Sequence, residues 1–198
     1  MAGWTTLSST MAVLDQDHVD TDRIIPARFL SLITRGGYGD LLFKDVRGVD
    51  FPLDQPEAKG AEVLLAGTNF GCGSSREHAV WALQQAGFKV VLGRVEQSSP
   101  AFSDIFRQNA ANCGLLLIDL EPGDFEILRV AGNGAAVAVD LSDCTIKCGE
   151  ASIRFEIPEA LRESVIHGHD LIGTTMVQES AIRDFEAKAP EFLAPASN

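Results

Sequence analysis

An α/β fold, with parallel strands at its core and a small additional β layer, is predicted by three features of the sequence. Short apolar runs at 61–67, 88–92 and 115–118 are separated by segments rich in helix formers. Glycine and serine punctuate the passage from run to helix, as at a strand-turn-helix junction. From residue 135 the pattern changes to alternating apolar and polar residues, the mark of half-exposed antiparallel strands.

The elements follow in chain order. An apolar run at 11–14 leads into DQDHVDTDRIIP (15–26), where Asp15, Asp17, Asp20 and Asp22 are broken by His18 and Arg23. Runs of acids are usually solvated loops. Asp20-Thr21-Asp22 nevertheless runs straight into Ile24 and Ile25, which would fix the segment at the edge of the core and makes an aspartate here a candidate functional group. Residues 26–33 (PARFLSLI) predict a helix with proline at its first position and Phe29, Leu30 and Ile33 on one face. It ends in TRGGYG (34–39), a glycine-rich loop on which Arg35 is either a surface cation or a substrate clamp able to move. Residues 45–60, dense in Asp, Gly and Pro, predict irregular chain within the domain.

The junction at 71–79 (GCGSSREHA) joins the strand at 61–67 to a helix over 79–86. Unpaired backbone N–H groups and roughly half a positive charge from the helix dipole would hold an anion there. The same residues fit a capping box, with Ser74 as cap and Glu77 reaching back, worth about 1 kcal/mol. Both readings stand on the motif alone. The strand at 88–92 completes a strand-helix-strand unit, presumed parallel by the right-handed crossover rule. A polar loop (94–100), a helix over 101–112 and the strand at 115–118 come next. Strands at 135–141, 144–148 and 151–157 and helices over 158–166 and 179–188 end the chain; His167 and His169 form an H-x-H pair that nothing nearby completes into a metal site.

Composition sets further bounds. At 198 residues with 45% hydrophobic content the chain can bury one substantial core, so a single domain over 1–198 is expected. A formal charge of −12 excludes nucleic acid as an expected partner, because phosphate binding needs clustered Lys and Arg. No run approaches the ~18 apolar residues of a membrane span, and the N-terminal segment lacks a signal-peptide pattern, so a cytoplasmic protein with no membrane partner is expected. Cys72, Cys113, Cys144 and Cys148 show neither disulfide nor zinc spacing; Cys144 and Cys148 would lie about 13 Å apart on an extended strand. No metal site is expected in this chain. Cys72, near a helix start, is a candidate for a lowered thiol pKa.

Several motifs in order, HVDTDRIIP (18–26), FLSLITRGGYGDLLF (29–43), NFGCGSSREHAVWAL (69–83) and SDIFRQNAANCGLLLI (103–118), resemble the small-subunit family of bacterial 3-isopropylmalate dehydratases, itself similar to the swivelling domain of aconitase. The likeness extends through RFEI (154–157) and Ile172-Gly173. The loop at 94–100 is longer than is common in that family, and Leu117 stands where proline is usual. The resemblance implies a β/β/α swivelling-type domain and a hydro-lyase of leucine biosynthesis. It also implies a heterodimer or heterotetramer with a large subunit that carries a [4Fe-4S] cluster, whose iron would act as Lewis acid, while this chain binds no cofactor itself. Carried over by position, Ser74 would be the base that removes a proton beside a carboxylate, and Asp22 would join the acid/base network. Arg35 and Arg76 would bind the carboxylates of a small diacid, with Ser75 supporting the turn or bonding substrate.

Two alternatives remain at this point. The first is a related small subunit acting on citramalate or homocitrate, whose side-chain pocket the loop around Arg35 and Tyr38 would set. The second is an anion-binding module with no catalysis of its own. A serine hydrolase fits less well, since the turn reads G-x-G-S-S and not G-x-S-x-G.

Overall fold

The computed structural model describes residues 3–31, 36–74, 76–169 and 171–188. Its centre is β1 (Thr6–Leu14), a strand whose two halves have different partners. The second half pairs in parallel with β2 (Val63–Ala66), Met11 opposite Val63 and Leu14 opposite Ala66. β3 (Val90–Arg94) and β4 (Leu116–Leu120) continue that parallel set. The first half pairs antiparallel with β5 (Ala136–Asp140), Leu7 opposite Val139, and β6 (Thr145–Cys148) and β7 (Ala151–Arg154) follow. The result is one sheet of order β4-β3-β2-β1-β5-β6-β7. The three late strands extend the parallel set edge to edge through β1 and form the antiparallel half of one mixed sheet.

Burial explains both strand patterns. In the parallel half, Ala12, Leu14, Leu64, Ala66, Val91 and Leu117 face one core, where α2 (Glu77–Gln85) and α3 (Asp104–Cys113) pack. Met11, Val63, Leu65, Val90, Leu92 and Leu116 face the other, covered in part by α4 (Pro122–Ala131) through Phe125 and Leu128. With both faces covered, the strand centres are continuous apolar runs, and the polar residues Arg94 and Asp119 fall at or next to the strand ends. The antiparallel half buries only one face, through Leu7, Val137, Val139, Ile146 and Ile153, and exposes Thr6, Ser8, Ala136, Lys147 and Ser152 on the other.

Three elements differ from expectation. The first half of β1 was not anticipated, because Thr6-Leu7-Ser8-Ser9-Thr10 has one large apolar residue and reads as polar chain. The helix α4 was not anticipated either; Pro122 begins it, as proline can at a first helical position. The helix expected over 26–33 is a single 3-10 turn, Ala27–Phe29, which suffices to set Phe29 and Leu30 against the core; 32–35 lie outside the described residues. The closing helices appear as α5 (Glu159–His167) and α7 (Glu179–Glu186), with α6 (Leu171–Met176) between them. Among the described residues, no helix is long and apolar enough to cross a membrane.

Candidate active site

The carboxyl ends of β1, β2 and β3 lie on one rim of the sheet, and the segments that leave them stay side by side. After β1 and β2, His18 N donates to Thr68 O (2.9 Å), Gly71 N to Val19 O (2.8 Å) and Thr21 N to Cys72 O (3.0 Å). His18 and Asn69 both adopt left-handed backbone, φ 53° each, and their side chains meet at 3.0 Å between Nδ1 and Nδ2. On its other side the glycine turn is held by the segment after β3: Phe70 N donates to Ala101 O (2.9 Å) and Ser103 Oγ to Gly71 O (2.6 Å). The aspartate-rich segment and the glycine turn are thus one unit, 18–22 lying against 68–72. This is the rim where open α/β sheets bind ligands.

A charged clamp ties the strand ends beneath that unit. Arg94, the last residue of β3, reaches both carboxylate oxygens of Asp17 (2.9 and 3.0 Å), and Asp17 Oδ1 also accepts from Thr68 N (2.9 Å). Arg94 further approaches Asp15 (3.7 Å) and Glu96 (3.1 Å) and lies 4.9 Å over the ring of Phe125 on α4. Neither Asp17 nor Arg94 was singled out from sequence. The available signal was position: each is a charge at or just beyond the end of an apolar strand, on the rim where a charge is costly to bury and therefore paired.

Asp22 follows the clamp in a short helix, α1 (Thr21–Ile24), which Asp20 caps by accepting from Arg23 N (2.7 Å). Asp22 Oδ1 accepts from Arg76 Nη1 at 3.0 Å. Two predicted site residues 54 positions apart are therefore in contact. A half-exposed pair of this kind adds little to stability; its weight is positional, placing an acid and a guanidinium at the mouth of the glycine turn. Ser74 is exposed on the same turn. Arg35 and Ser75 lie outside the described residues.

The capping box is not formed. Arg76, not Ser74, is the cap residue of α2, and its side chain makes no capping hydrogen bond. Glu77 does not reach back: its carboxylate Oε1 accepts from the Cys113 thiol of α3 at 3.2 Å. The helix begins two residues later than a Ser74 cap requires, because Arg76 is extended (φ −93°, ψ 144°). Two further expectations fail. Burial pushes the Cys72 thiol above its ordinary value, with the charge of Asp20 adding to the effect, so it is not an activated thiolate. Tyr38, expected on a mobile pocket loop, is fully buried, edge-on to His78 (5.4 Å) and Trp81 (5.7 Å), with its N–H bonded to Gln85 on α2.

An iron-sulfur cluster requires converging thiolates. Here Cys72 is on the glycine turn, Cys113 ends α3, Cys144 precedes β6 and Cys148 ends it. Among the described residues no three His, Cys, Asp or Glu side chains are grouped to hold a metal ion. Among the described residues, these thiols do not fit a cluster.

The family model for the aconitase C-terminal domain matches residues 1–123, more than half of the chain. The chain belongs to this family. The match contains the aconitase-type glycine turn, the Asp20-Thr21-Asp22 segment and all four parallel strands, and it stops inside α4. A similar solved structure is the crystal structure of 3-isopropylmalate dehydratase (LeuD) from Methanocaldococcus jannaschii, 27% identical with a TM-score of 0.70. The alignment covers 91% of this aconitase-family chain and 99% of that one.

Proposed function

We propose that this chain is the small subunit of a 3-isopropylmalate dehydratase, a cytoplasmic hydro-lyase that interconverts 2-isopropylmalate and 3-isopropylmalate by dehydration and rehydration. The observation that carries this reading is the end-to-end match with a 3-isopropylmalate dehydratase chain, 99% of whose length is covered. The contact of Asp22 with Arg76 beside the exposed Ser74 supports it, since it supplies the residue types such a reaction needs.

In this reading the whole chain is one swivelling domain, and Ser74 Oγ takes the proton from the carbon beside a substrate carboxylate. A serine is a poor base until its alkoxide is stabilised. The amino end of α2 and the Arg76 guanidinium both favour negative charge at that spot. Arg76, with Arg35 and Ser75, binds the substrate, the two arginines taking its carboxylates, and Asp22 holds Arg76 in place and joins the proton network around the departing hydroxyl. The large subunit brings the [4Fe-4S] cluster, and the two chains share the active site in a heterodimer or heterotetramer.

The test is reconstitution with the large subunit under anaerobic conditions, followed by turnover assays on isopropylmalate, citramalate and homocitrate. Turnover of 2-isopropylmalate is expected. Turnover confined to another diacid would move the substrate assignment, and no association with the large subunit would remove the enzyme reading.

A further inference from the structure

Thr21 sits between two aspartates with defined partners, Asp20 capping α1 and Asp22 paired to Arg76. Its main chain is satisfied as well: the N–H donates to Cys72 O and the carbonyl accepts from Ile25 N (2.9 Å). Its hydroxyl is not. Thr21 is 2% exposed, and Oγ1 is buried with no hydrogen-bond partner. A buried hydroxyl left unpaired is destabilising by an amount comparable to a lost hydrogen bond, whereas valine would fill nearly the same volume without that penalty. A second arrangement in which the hydroxyl is bonded would account for a threonine here.

The glycine turn is its neighbour. A Cβ placed on Gly73 would have Asp20 Cβ at 3.6 Å and Thr21 Oγ1 at 3.8 Å as its nearest neighbours. The glycine turn therefore runs close to the hydroxyl, and the space on that side of residue 73 holds no side chain of its own. Ser74, the proposed base, is the next residue. A short displacement of Gly73-Ser74 toward Thr21 would form the missing bond and change the position of the serine oxygen.

We infer that Thr21 is a positioning residue: its hydroxyl bonds the main chain of the Gly73-Ser74 turn as the reacting complex forms, and so fixes Ser74 against the substrate. The inference rests on the proposed function for its substrate. A bond present in the reacting state and absent from the free chain contributes to turnover and adds nothing to the stability of the free chain.

The experiment compares Thr21→Val and Thr21→Ser with wild type, as free chain and in the reconstituted enzyme. The free Thr21→Val chain should melt at or slightly above wild type. Its complex should lose about tenfold in kcat, the loss of one neutral hydrogen bond, with KM within about twofold, and Thr21→Ser should restore most of the rate. Wild-type kcat in Thr21→Val would overturn the inference. So would a free Thr21→Val chain that melts several degrees lower, because the hydroxyl would then already be bonded in the resting state, as by a buried water. If Thr21→Val does not fold, Thr21→Ser against Thr21→Ala isolates the hydroxyl in the same way, and equal turnover of that pair would overturn it. If the wild-type complex turns over a different diacid, the ratio is read on that diacid. The melting comparison needs no substrate, so a wrong substrate assignment is distinguishable from a wrong role for Thr21.

Discussion

The two halves of the sheet use β1 in opposite ways. On the parallel side β1 to β4 end on one rim, both faces are buried, and the polar residues are displaced to the strand ends, where Asp17, Asp22, Arg76 and Arg94 pair with one another. On the antiparallel side the strands turn back tightly, one face is open, and polar residues such as Thr6, Ser8, Lys147 and Ser152 are spread along the strands. The aconitase C-terminal match ends before β5, β6 and β7. In the proposed reading, function concentrates where burial of both faces leaves the strand ends as the place for charge, and the half with a free face acts as support.

The strongest way to break that comparison is to change matched polar residues in each half and assay the reconstituted enzyme. Ser74→Ala and Arg76→Lys should each lower turnover roughly a hundredfold or more, the second because a point charge does not replace a planar fork. Ser152→Ala and Lys147→Arg, on the open face, should leave turnover unchanged. The structure also alters what Ser74→Ala should do to stability. With Arg76 as the cap residue, the change should stay within about 0.5 kcal/mol, as for other exposed positions. Wild-type turnover in Ser74→Ala would remove that serine from the chemistry.

Turn glycines sharpen the comparison through stability. Gly71 has φ +76°, and a Cβ there would stand 2.2 Å from Phe106 Cγ, inside the packed core beneath the rim. Gly149, in the tight turn between β6 and β7, has φ +56° and nothing within 4 Å. Gly71→Ala should therefore cost roughly 3 kcal/mol or more, combining overpacking with backbone strain, while Gly149→Ala should cost only about 1 kcal/mol from the backbone. Urea unfolding midpoints separate the two outcomes. Equal losses would mean that Phe106 yields and the rim is less tightly packed than it looks.

How much of this was legible in the sequence follows the same division. Strands buried on both faces show as unbroken apolar runs, so β2, β3 and β4 were located to within two residues at each end. The Thr6–Thr10 half of β1 has one inward apolar residue, Leu7, and no run to betray it. Ser74, Arg76 and Asp22 entered as candidates through motifs that resemble a known family, and the structure adds that two of them touch. The capping box misled because its spacing was right while the backbone at Arg76 is extended, a conformation that residue types do not specify. Asp17 and Arg94 were hidden for a different reason. They lie 77 positions apart, and only the parallel pairing of β1, β2 and β3 brings them together.

The smallest effect is expected from the best-bonded acid of the antiparallel half. Asp140, at the end of β5, accepts from Ser142 N (2.8 Å) and Asp143 N (3.3 Å), and its other oxygen accepts from the Thr6 hydroxyl (3.1 Å). The Asp143 backbone hydrogen bond, followed by that of Ser142, holds its carboxyl below the usual carboxylate value. A lowered folded-state pKa means that the contribution to stability is fully present above the ordinary carboxylate pKa and is lost as pH falls through the folded value. Asp140→Asn should therefore be slightly less stable than wild type at neutral pH, with the difference closing in acid and turnover of the reconstituted enzyme unchanged. Thermal melts of both chains from neutral pH down into the carboxylate range check the sign. A difference that widens in acid would mean the aspartate is disfavoured where it sits, and a loss of turnover would mean that the antiparallel half does more than support the rim.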